Sequence, residues 1–266
     1  MPDRKPDAPP ARPGSLPDRG FAPLELERHL ADPALKQAWV TPMFDAIAPR
    51  YDEFTRVFSF GMDRRWKRRL IGTAAGTLPR GAVVADLATG TGDLGLSLAA
   101  ARPDVRVIAM DVSMRMLQVA TERVSRSAGA SVALAGATLD QLPLATASCD
   151  GVMAGYGVRN APDWRGAIAE IARATRPGGH VLTLDFYRPA SRAWRGLFLR
   201  WLWTTGRFVG ARWHGEPMIY GYIARSIDHF VSWQGFSAGL EDAGFRVQSV
   251  RRFLGGGIAI HHGVRR

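Results

Sequence analysis

The chain has 266 residues, 46% of them hydrophobic, a formal net charge of +11 and one cysteine, Cys149. This length suits one α/β domain with added helices, and a single cysteine excludes an internal disulfide and a cysteine-based zinc or iron–sulfur site. The positive charge would suit nucleic acid, anionic lipid or an acidic substrate, but we find no nucleic-acid-binding signature and expect no nucleic-acid partner.

No apolar run is long enough to span a bilayer, and no secretory signal is recognisable, so we expect a cytoplasmic protein. Residues 1–23 are rich in proline and charge and are predicted to be disordered. The remaining residues, 24–266, are predicted to form one domain. It would carry N-terminal helices in 24–80 and a helical lid insertion in 187–230.

The N-terminal helices are predicted from side-chain spacing. In 41–54, aromatic and aliphatic residues recur every three or four positions, as on one face of a helix. Thr41 and Pro42 are typical of an N-cap residue and the first helical residue, so this helix is predicted to begin there. A basic helix is predicted over 63–74.

Short apolar runs that alternate with helix-length segments follow. The runs cover 82–88, 105–111, 131–136, 151–157 and 180–186, and the helix-length segments cover 92–102, 113–127 and 163–175. This alternation predicts a doubly wound parallel sheet with helices on both faces. Two further runs, 245–255 and 257–264, have no helix between them and predict an antiparallel hairpin at one edge. The fold class is therefore α/β with a seven-strand sheet.

The turn after the first strand reads ADLATGTGDLGL, residues 85–96. Gly90 and Gly92 allow the backbone to approach a ligand closely. Asp111 ends the second strand, 21 residues after Gly90, where a carboxylate can accept both hydroxyls of a ribose. Ligands of open α/β sheets bind at these strand ends, so a nucleotide cofactor is predicted here.

Three details favour S-adenosylmethionine over NAD as that cofactor. Asp86 precedes the first glycine by four residues, which is foreign to the dehydrogenase pattern. Asp93 occupies the mouth of the next helix, where it would repel a diphosphate and suit a sulfonium or an amino group. The edge hairpin also suits a methyltransferase sheet better than a dehydrogenase sheet.

Four stretches of the chain, from about residue 41 to the C-terminus, carry a family resemblance. The stretches are 43–70, 84–99, 155–186 and 232–263. They resemble the quinone C-methyltransferases of ubiquinone and menaquinone biosynthesis. The resemblance implies a Rossmann-like methyltransferase sheet and an S-adenosylmethionine-dependent C-methyltransferase that acts on a demethylquinol, a lipid substrate.

The resemblance also extends the candidate site. It implies that Thr91 and Asp111 contact the cofactor and that Thr138 lies near the adenine. With the glycine loop and the flanking positions, the candidate cofactor-binding residues are Asp86, Gly90, Thr91, Gly92, Asp111, Val112, Thr138, Leu139 and Gly155. The resemblance implies that Tyr51, Arg159 and Asn160 surround the acceptor ring and the methyl group, and these are the candidate catalytic residues.

The chemistry of ring methylation gives each candidate catalytic residue a role. Arg159, charged at any working pH, would stabilise the phenolate that develops on the acceptor. Asn160 would orient Arg159 or the ring oxygen, and Tyr51 would close over the methyl group and exclude water. The alternative for Arg159 is an arginine at a helix start that pairs with a surface acid. No metal is required.

The sequence departs from the family pattern at three positions near the reaction centre. Thr55 replaces an asparagine, Thr138 an asparagine or aspartate, and Gly155 a serine. Three alternatives therefore stay open: another small aromatic or lipid acceptor, a catalytically silent methyltransferase-like subunit and, more distantly, a dehydrogenase. The sequence does not decide between a monomer and a homodimer.

The segment 191–213 holds four of the eight tryptophans among several arginines. It is either a core helix packed over the active site or a lid that receives a polyprenyl tail and touches anionic lipid at the inner membrane face. Elsewhere, the adjacent His261 and His262 are predicted to point to opposite faces of a strand, which argues against a shared metal ion. Cys149 is predicted to be a buried core residue.

Overall fold

A computed structural model of the protein describes residues 30, 32–127 and 129–266. The predicted disordered tail, residues 1–23, lies outside the described residues. Within the described part, the sheet has seven strands in the order β3-β2-β1-β4-β5-β7-β6. The strands are β1 (Val83–Leu87), β2 (Arg106–Asp111), β3 (Val132–Gly136), β4 (Cys149–Gly155), β5 (Thr175–Phe186), β6 (Phe245–Phe253) and β7 (Ile258–Arg265).

Strands β1 to β5 pair in parallel, whereas β7 runs antiparallel to both β5 and β6. This confirms the predicted α/β sheet and its antiparallel edge hairpin. The side chains of β1 enter two different cores, because successive side chains of a strand point to opposite faces. Val84 packs in one core with Leu70 and Leu98, and Leu87 packs in the other with Phe236.

Helices cover both faces of the sheet, and three of the described α-helices precede its first strand in the chain. The described helices are α1 (Pro33–Ile47), α2 (Tyr51–Phe58), α3 (Asp63–Thr77), α4 (Asp93–Ala101), α5 (Met114–Arg126), α6 (Trp164–Ala174), α7 (Arg192–His214), α8 (Met218–His229) and α9 (Trp233–Asp242). A 3₁₀ turn, Ala48–Arg50, joins α1 to α2.

The predicted helix start at Thr41 is wrong, because Pro42 lies inside α1. The preceding turn is helical because Trp39 and Val40 are buried in the core, and this packing outweighs the local start signal. The chain breaks instead at the 3₁₀ turn around Pro49, which has a proline in its first turn.

The tryptophan- and arginine-rich segment forms the 23-residue helix α7. The Ser191 hydroxyl caps its N-terminus by accepting from the Trp194 N–H, and Gly215 ends it in the left-handed conformation. Helix α7 packs closely on α8: a Cβ at Gly206 would lie 2.7 Å from the Tyr220 carbonyl oxygen. No helix in the described part of the chain is long and apolar enough to span a bilayer.

Candidate active site

Two neighbouring cavities lie at the carboxyl ends of the parallel strands. The first, which we call the cofactor cavity, is open to solvent and has a volume of about 570 Å³ including its mouth. Six of the nine candidate cofactor-binding residues line it, together with the candidate catalytic residues Tyr51 and Asn160. The six are Gly90, Asp111, Val112, Thr138, Leu139 and Gly155.

Asp111 is the charged group of the cofactor cavity, and backbone donors fix its orientation. Its Oδ2 accepts from the Gly90 N–H at 2.8 Å, and its Oδ1 accepts from the Ser113 N–H at 2.8 Å. Gly90 has a φ of +57°, a conformation that favours glycine. Burial raises the pKa of the Asp111 carboxyl to about 6.

The groups that line this cavity fit the predicted cofactor. Each carboxylate oxygen of Asp111 retains a lone pair that can accept a ribose hydroxyl. The apolar side chains of Val112, Met116 and Leu139, which line the same cavity, suit the faces of a purine. A negative charge near the cavity is also compatible with a sulfonium cation.

Asp86, Thr91 and Gly92 do not line this cavity but shape its glycine loop. The buried Asp86 accepts through Oδ2 from the Thr89 hydroxyl at 2.6 Å and the Gly95 N–H at 2.8 Å. Burial raises its pKa to about 7. Gly92 starts α4 with a φ of +82°.

The Thr91 hydroxyl faces α2 and α5 instead of the cofactor cavity. It lies 3.1 Å from the Asp52 Oδ1 and accepts from the Arg123 Nη1 at 3.0 Å. Arg123 and Asp52 also form an ion pair. These hydrogen bonds connect the glycine loop to α2, one of the N-terminal helices, and to α5.

Helix α1 forms the roof of the cofactor cavity through Gln37, Val40 and Phe44. Lys36 ties this roof to the loop after β4, because its Nζ donates to the carbonyl oxygens of Arg159 and Ala161 at 2.8 and 2.7 Å. Burial, and next the positive charge of Arg159, lower the pKa of Lys36 to about 8.

A second contact fixes the other end of α1. Asp45 Oδ1 accepts from the Ser113 hydroxyl at 2.5 Å, and Ser113 is also the residue whose N–H holds Asp111. The helix roof is therefore hydrogen-bonded to two of the loops that form the cofactor cavity.

The second cavity, which we call the acceptor cavity, is also open to solvent and has a volume of about 550 Å³ including its mouth. Its wall is largely aromatic and aliphatic, and helices α1, α2 and α8 contribute most of it. The residues are Met43, Phe44, Ile47, Tyr51, Phe54, Thr55, Phe58, Ser59, Tyr156, Arg159, Phe186, Ile219, Tyr220, Tyr222 and Ile223. Three of these side chains, Phe44, Tyr51 and Tyr156, also line the cofactor cavity.

Arg159 is the only cationic residue among those lining the acceptor cavity. It is 5% exposed. Its Nη1 pairs with Asp185, its Nε donates to the Ser226 hydroxyl at 3.1 Å, and no partner for its Nη2 is found among the described residues. Arg159 therefore does not pair with a surface acid, since Asp185 is itself buried at the end of β5.

Asn160 does not orient Arg159, so that part of its predicted role is wrong. Its Nδ2 donates to the Tyr156 carbonyl oxygen at 2.9 Å, and its Oδ1 accepts from the Tyr222 hydroxyl at 3.0 Å. Asp185 and Ser226 hold Arg159 instead. Asn160 lines the cofactor cavity and Arg159 the acceptor cavity.

The sequence reasoning missed Asp185 and the contributions of α8. Tyr222, Ile223 and Ser226 reach the site from that helix. These three residues belong to no recognisable motif. The only sequence feature that could have indicated them is the spacing of aromatic and aliphatic residues in their segment of the predicted lid, 187–230. No residue of α7 lines either cavity; α7 packs behind α8.

The predicted role of Asp93 is wrong. Its carboxylate is half-exposed and pairs with the Lys67 Nζ at 2.7 Å. It does not line the cofactor cavity, because the first turn of α4 lies against α3, where Lys67 is located. Asp93 therefore gives no argument against a diphosphate ligand.

The three departures from the family pattern all lie in cavity walls. Thr55 lines the acceptor cavity, and its hydroxyl donates to the Asp52 carbonyl oxygen at 3.1 Å. Thr138 and Gly155 line the cofactor cavity. A Cβ at Gly155 would lie 2.6 Å from the Leu94 Cδ1, so Leu94 fills the space of the missing side chain.

The histidines and the cysteine within the described residues are the next candidates for metal ligands. His262 lies 3.0 Å from His180, whereas His261 lies 3.2 Å from the Tyr187 hydroxyl, so the two adjacent histidines face opposite sides of β7 as predicted. In the described part of the chain, no three His, Cys, Asp or Glu residues are grouped around a possible ion. Cys149 is a buried free thiol, as predicted.

Comparison with known proteins identifies the family. The sequence profile of the ubiE/COQ5 methyltransferase family matches residues 33–265. The chain belongs to this family. It is an S-adenosylmethionine-dependent methyltransferase, and the cofactor cavity is where its residues fit that cofactor.

Curated relatives of this methyltransferase match over most of their length. The ubiquinone/menaquinone biosynthesis C-methyltransferase of Syntrophotalea carbinolica is 36% identical over 84% of this chain and 93% of its own. The demethylmenaquinone methyltransferase of Thermus thermophilus is 34% identical over 77% and 92%. The ubiquinone/menaquinone biosynthesis C-methyltransferase of Rubrivivax gelatinosus is 39% identical over 84% and 85%.

Solved structures confirm the methyltransferase fold. A chain of the complex between the Haloferax volcanii Trm112 methyltransferase activator and a methyltransferase is similar with a TM-score of 0.60, at 20% identity. The match covers 83% of this chain and 96% of that one. Phosphoethanolamine N-methyltransferase 2 of Haemonchus contortus, solved with S-adenosyl-L-methionine, gives 0.55 at 16% identity over 73% and 51%.

Proposed function

We propose that this enzyme methylates a ring carbon of a demethylquinol of the menaquinone or ubiquinone type. The observation that carries the proposal is the position of Arg159, a buried cation in an aromatic cavity that shares three side chains with the cofactor cavity. The relatives that match over most of the chain carry names that specify this reaction. An apolar cavity of this kind suits a hydrophobic ring.

S-adenosylmethionine supplies an electrophilic methyl group on a sulfonium. The chain must therefore activate the acceptor carbon and hold it close to that methyl group. Phe44, Tyr51 and Tyr156 line both cavities, so these side chains would flank the methyl group of a bound cofactor and the acceptor carbon that receives it. Tyr51 closes this boundary to water, and Asn160 holds the loop after β4 in place.

Arg159 stabilises the negative charge that develops on a ring oxygen as its proton leaves. A fixed guanidinium in a low-dielectric cavity interacts more strongly with that charge than water does. Asp185 and Ser226 hold the guanidinium, so little reorganisation is needed when the charge appears. In the balanced reaction, the new carbon–carbon bond would replace the methyl–sulfur bond, whose electron pair would stay on the sulfur of the neutral thioether product. The acceptor would lose one ring proton to solvent and keep both hydroxyls.

The experiment that tests this function measures transfer of a labelled methyl group to a demethylquinol. We expect turnover by the wild-type enzyme and a fall in kcat of about 100-fold in Arg159→Ala, comparable to the loss of an oxyanion-stabilising donor. Cofactor affinity should change little, because Arg159 lines the acceptor cavity. Arg126→Ala, at an exposed position of α5, is the matched control.

The outcomes separate the alternatives. Cofactor binding without transfer to any demethylquinol would favour another acceptor and overturn the proposal. Absence of cofactor binding would favour a catalytically silent subunit.

We also propose that the outer face of α7, with the end of α2, contacts an anionic membrane surface. Exposed large apolar side chains occur on both elements: Val57, Phe60, Leu197 and Phe208. Phe60 stacks on Trp201 of α7 with ring centroids 4.5 Å apart. Exposed arginines lie on the same helix: Arg192, Arg200, Arg207 and Arg212. This combination of apolar and cationic groups is typical of interfacial helices.

Sedimentation with phosphatidylglycerol vesicles at low salt tests the membrane contact. Phe208→Glu should weaken binding, whereas Met114→Glu should not, because Met114 is an exposed apolar residue on α5. Equal binding to anionic and neutral vesicles, or none, would overturn the membrane contact without affecting the proposed reaction.

A further inference from the structure

The hydroxyl of Tyr156 is buried and has no hydrogen-bond partner among the described residues. The residue is 8% exposed. A buried hydroxyl without a partner is destabilising, because it has lost water and gained nothing in exchange. Such a group in a folded protein calls for an explanation, and one explanation is a ligand.

The backbone holds Tyr156 in an unfavourable conformation. Its φ is +61°, a region that few residues other than glycine adopt. Its N–H donates to the Leu184 carbonyl oxygen at 2.6 Å, and its own carbonyl oxygen accepts from Asn160. Strain of this kind is concentrated at functional sites, where the surrounding structure imposes it.

Tyr156 lies at the boundary between the two cavities and lines both of them. Its ring packs against Phe186, with centroids 5.4 Å apart. Burial, together with the charges of Asp63 and Asp185, holds the pKa of its hydroxyl well above the usual range. The group is therefore a neutral hydrogen-bond donor and acceptor, and not a base.

The other hydroxyls of the acceptor cavity already have protein partners, apart from that of Tyr51, which already has a proposed role. Thr55 donates to a backbone carbonyl oxygen, and Ser59 bonds to Asp63. Tyr220 bonds to His214, and Tyr222 bonds to Asn160. The Tyr156 hydroxyl therefore has no protein hydrogen bond to give up when an acceptor oxygen approaches it.

We infer that the Tyr156 hydroxyl is a specificity-determining group that hydrogen-bonds an oxygen substituent of the acceptor ring. The inference rests on the proposed function. A hydroquinone carries two ring oxygens; Arg159 stabilises the one that develops charge, and Tyr156 binds the other. An acceptor with a single ring oxygen leaves one of the two groups without a partner. The site therefore selects dihydroxylated aromatic rings over monohydroxylated ones.

The test is Tyr156→Phe, which removes one oxygen atom and keeps the ring. We expect the KM for a demethylquinol to rise about tenfold, with the Kd for S-adenosylmethionine unchanged. The preference of the wild-type enzyme for that quinol over a monohydroxylated analogue should shrink by a similar factor. The Tm should stay the same or rise, because the variant no longer buries an unpaired hydroxyl.

Tyr222→Phe is the matched control for a structural hydroxyl. It should lower the Tm, because it leaves the Asn160 Oδ1 without the donor it has now. A Tm loss in Tyr156→Phe equal to that of Tyr222→Phe would overturn the inference, as would unchanged KM and acceptor preference. Absence of wild-type turnover with any demethylquinol would instead overturn the proposed function. In that case, the affinities of the wild-type enzyme and of Tyr156→Phe for a dihydroxylated aromatic compound would be compared. Equal affinities would overturn the role of Tyr156.

Discussion

Asp185 binds both the side chain and the backbone of Arg159. Its Oδ1 pairs with the Arg159 Nη1, and its Oδ2 accepts from the Arg159 N–H at 3.1 Å. Asp185 ends β5 and Arg159 lies in the loop after β4, so one carboxylate links two neighbouring strand ends. Both side chains are almost completely buried, and the pair is not accessible to screening by salt.

Asp185→Asn should destabilise the protein by about 3–5 kcal/mol, because it leaves the buried guanidinium without a countercharge. Denaturation in urea measures this loss. The double variant Arg159→Met/Asp185→Leu removes both charges and should recover most of the stability while remaining inactive. A single variant as stable as the wild-type protein would show that the pair does not contribute to the fold.

Lys36→Met should raise the Kd for S-adenosylmethionine about tenfold. The variant loses the two hydrogen bonds that join α1 to the loop after β4, so the roof of the cofactor cavity is less firmly closed. Both bonds form without the cofactor, so only part of the roughly 1.5–3 kcal/mol that each contributes is expected in the Kd, where a tenfold change corresponds to about 1.4 kcal/mol. Titration calorimetry measures the affinity, and Arg126→Met controls for the removal of a surface cation. Equal affinities in wild-type and Lys36→Met enzyme would contradict this role of Lys36.

Binding of S-adenosylmethionine should weaken as the pH falls below about 6. Burial raises the pKa of Asp111 to about 6, and a protonated carboxyl is a poorer acceptor for the ribose hydroxyls. Binding measured from pH 8 to pH 5 should show this decline. Asp111→Asn should bind weakly with a flatter pH profile, whereas Asp140→Asn, at an exposed position, should behave like the wild-type enzyme. An unchanged slope in Asp111→Asn would exclude Asp111 as its origin.

His261 should make the folded state sensitive to acid. Burial lowers its pKa to about 4, against about 6.5 in the unfolded chain. The unfolded state therefore binds more protons in this window, and the contribution of His261 to stability is lost as the pH falls from 6.5 to 4. Between these two pH values, the titration of His261 should lower the free energy of unfolding by roughly 3 kcal/mol.

The measurement compares the free energy of unfolding of wild-type protein and His261→Gln at pH 7 and pH 4. Their difference should shrink by that amount at the lower pH. Gln248→Ala, at an exposed position of β6, removes no titratable group and should keep a constant difference from the wild-type protein. A constant difference for His261→Gln as well would show that His261 titrates normally.

The sheet could be predicted from the sequence because its central strands, β1 and β4, are short and largely apolar runs that are buried on both faces. The predicted bounds of helices and strands are wrong where core packing outweighs the local sequence signals. Strand β5 begins at Thr175 and includes Pro177 and two glycines, a composition that disfavours a strand. Pro42 lies inside α1 for a similar reason, since the neighbouring Trp39 and Val40 are core residues.

Gly90 and Asp111 could be predicted because they lie at strand ends in a recognisable motif, whereas Tyr51 and Arg159 were predicted from the family resemblance. All four residues line a cavity. Asp93 shows the limit of the approach. Its partner, Lys67, is 26 residues away in sequence, and no local pattern indicates that the two side chains meet.

Phe44, Tyr51 and Tyr156 form a wall that belongs to both cavities. A smaller side chain in this wall would enlarge the acceptor cavity for a bulkier acceptor, and it would also change the surface against which the cofactor packs. Acceptor range and cofactor affinity are therefore coupled traits in this enzyme, and selection on one alters the other. Variants with a new acceptor should be sought in α8, where Ile219 and Ile223 face the acceptor cavity alone.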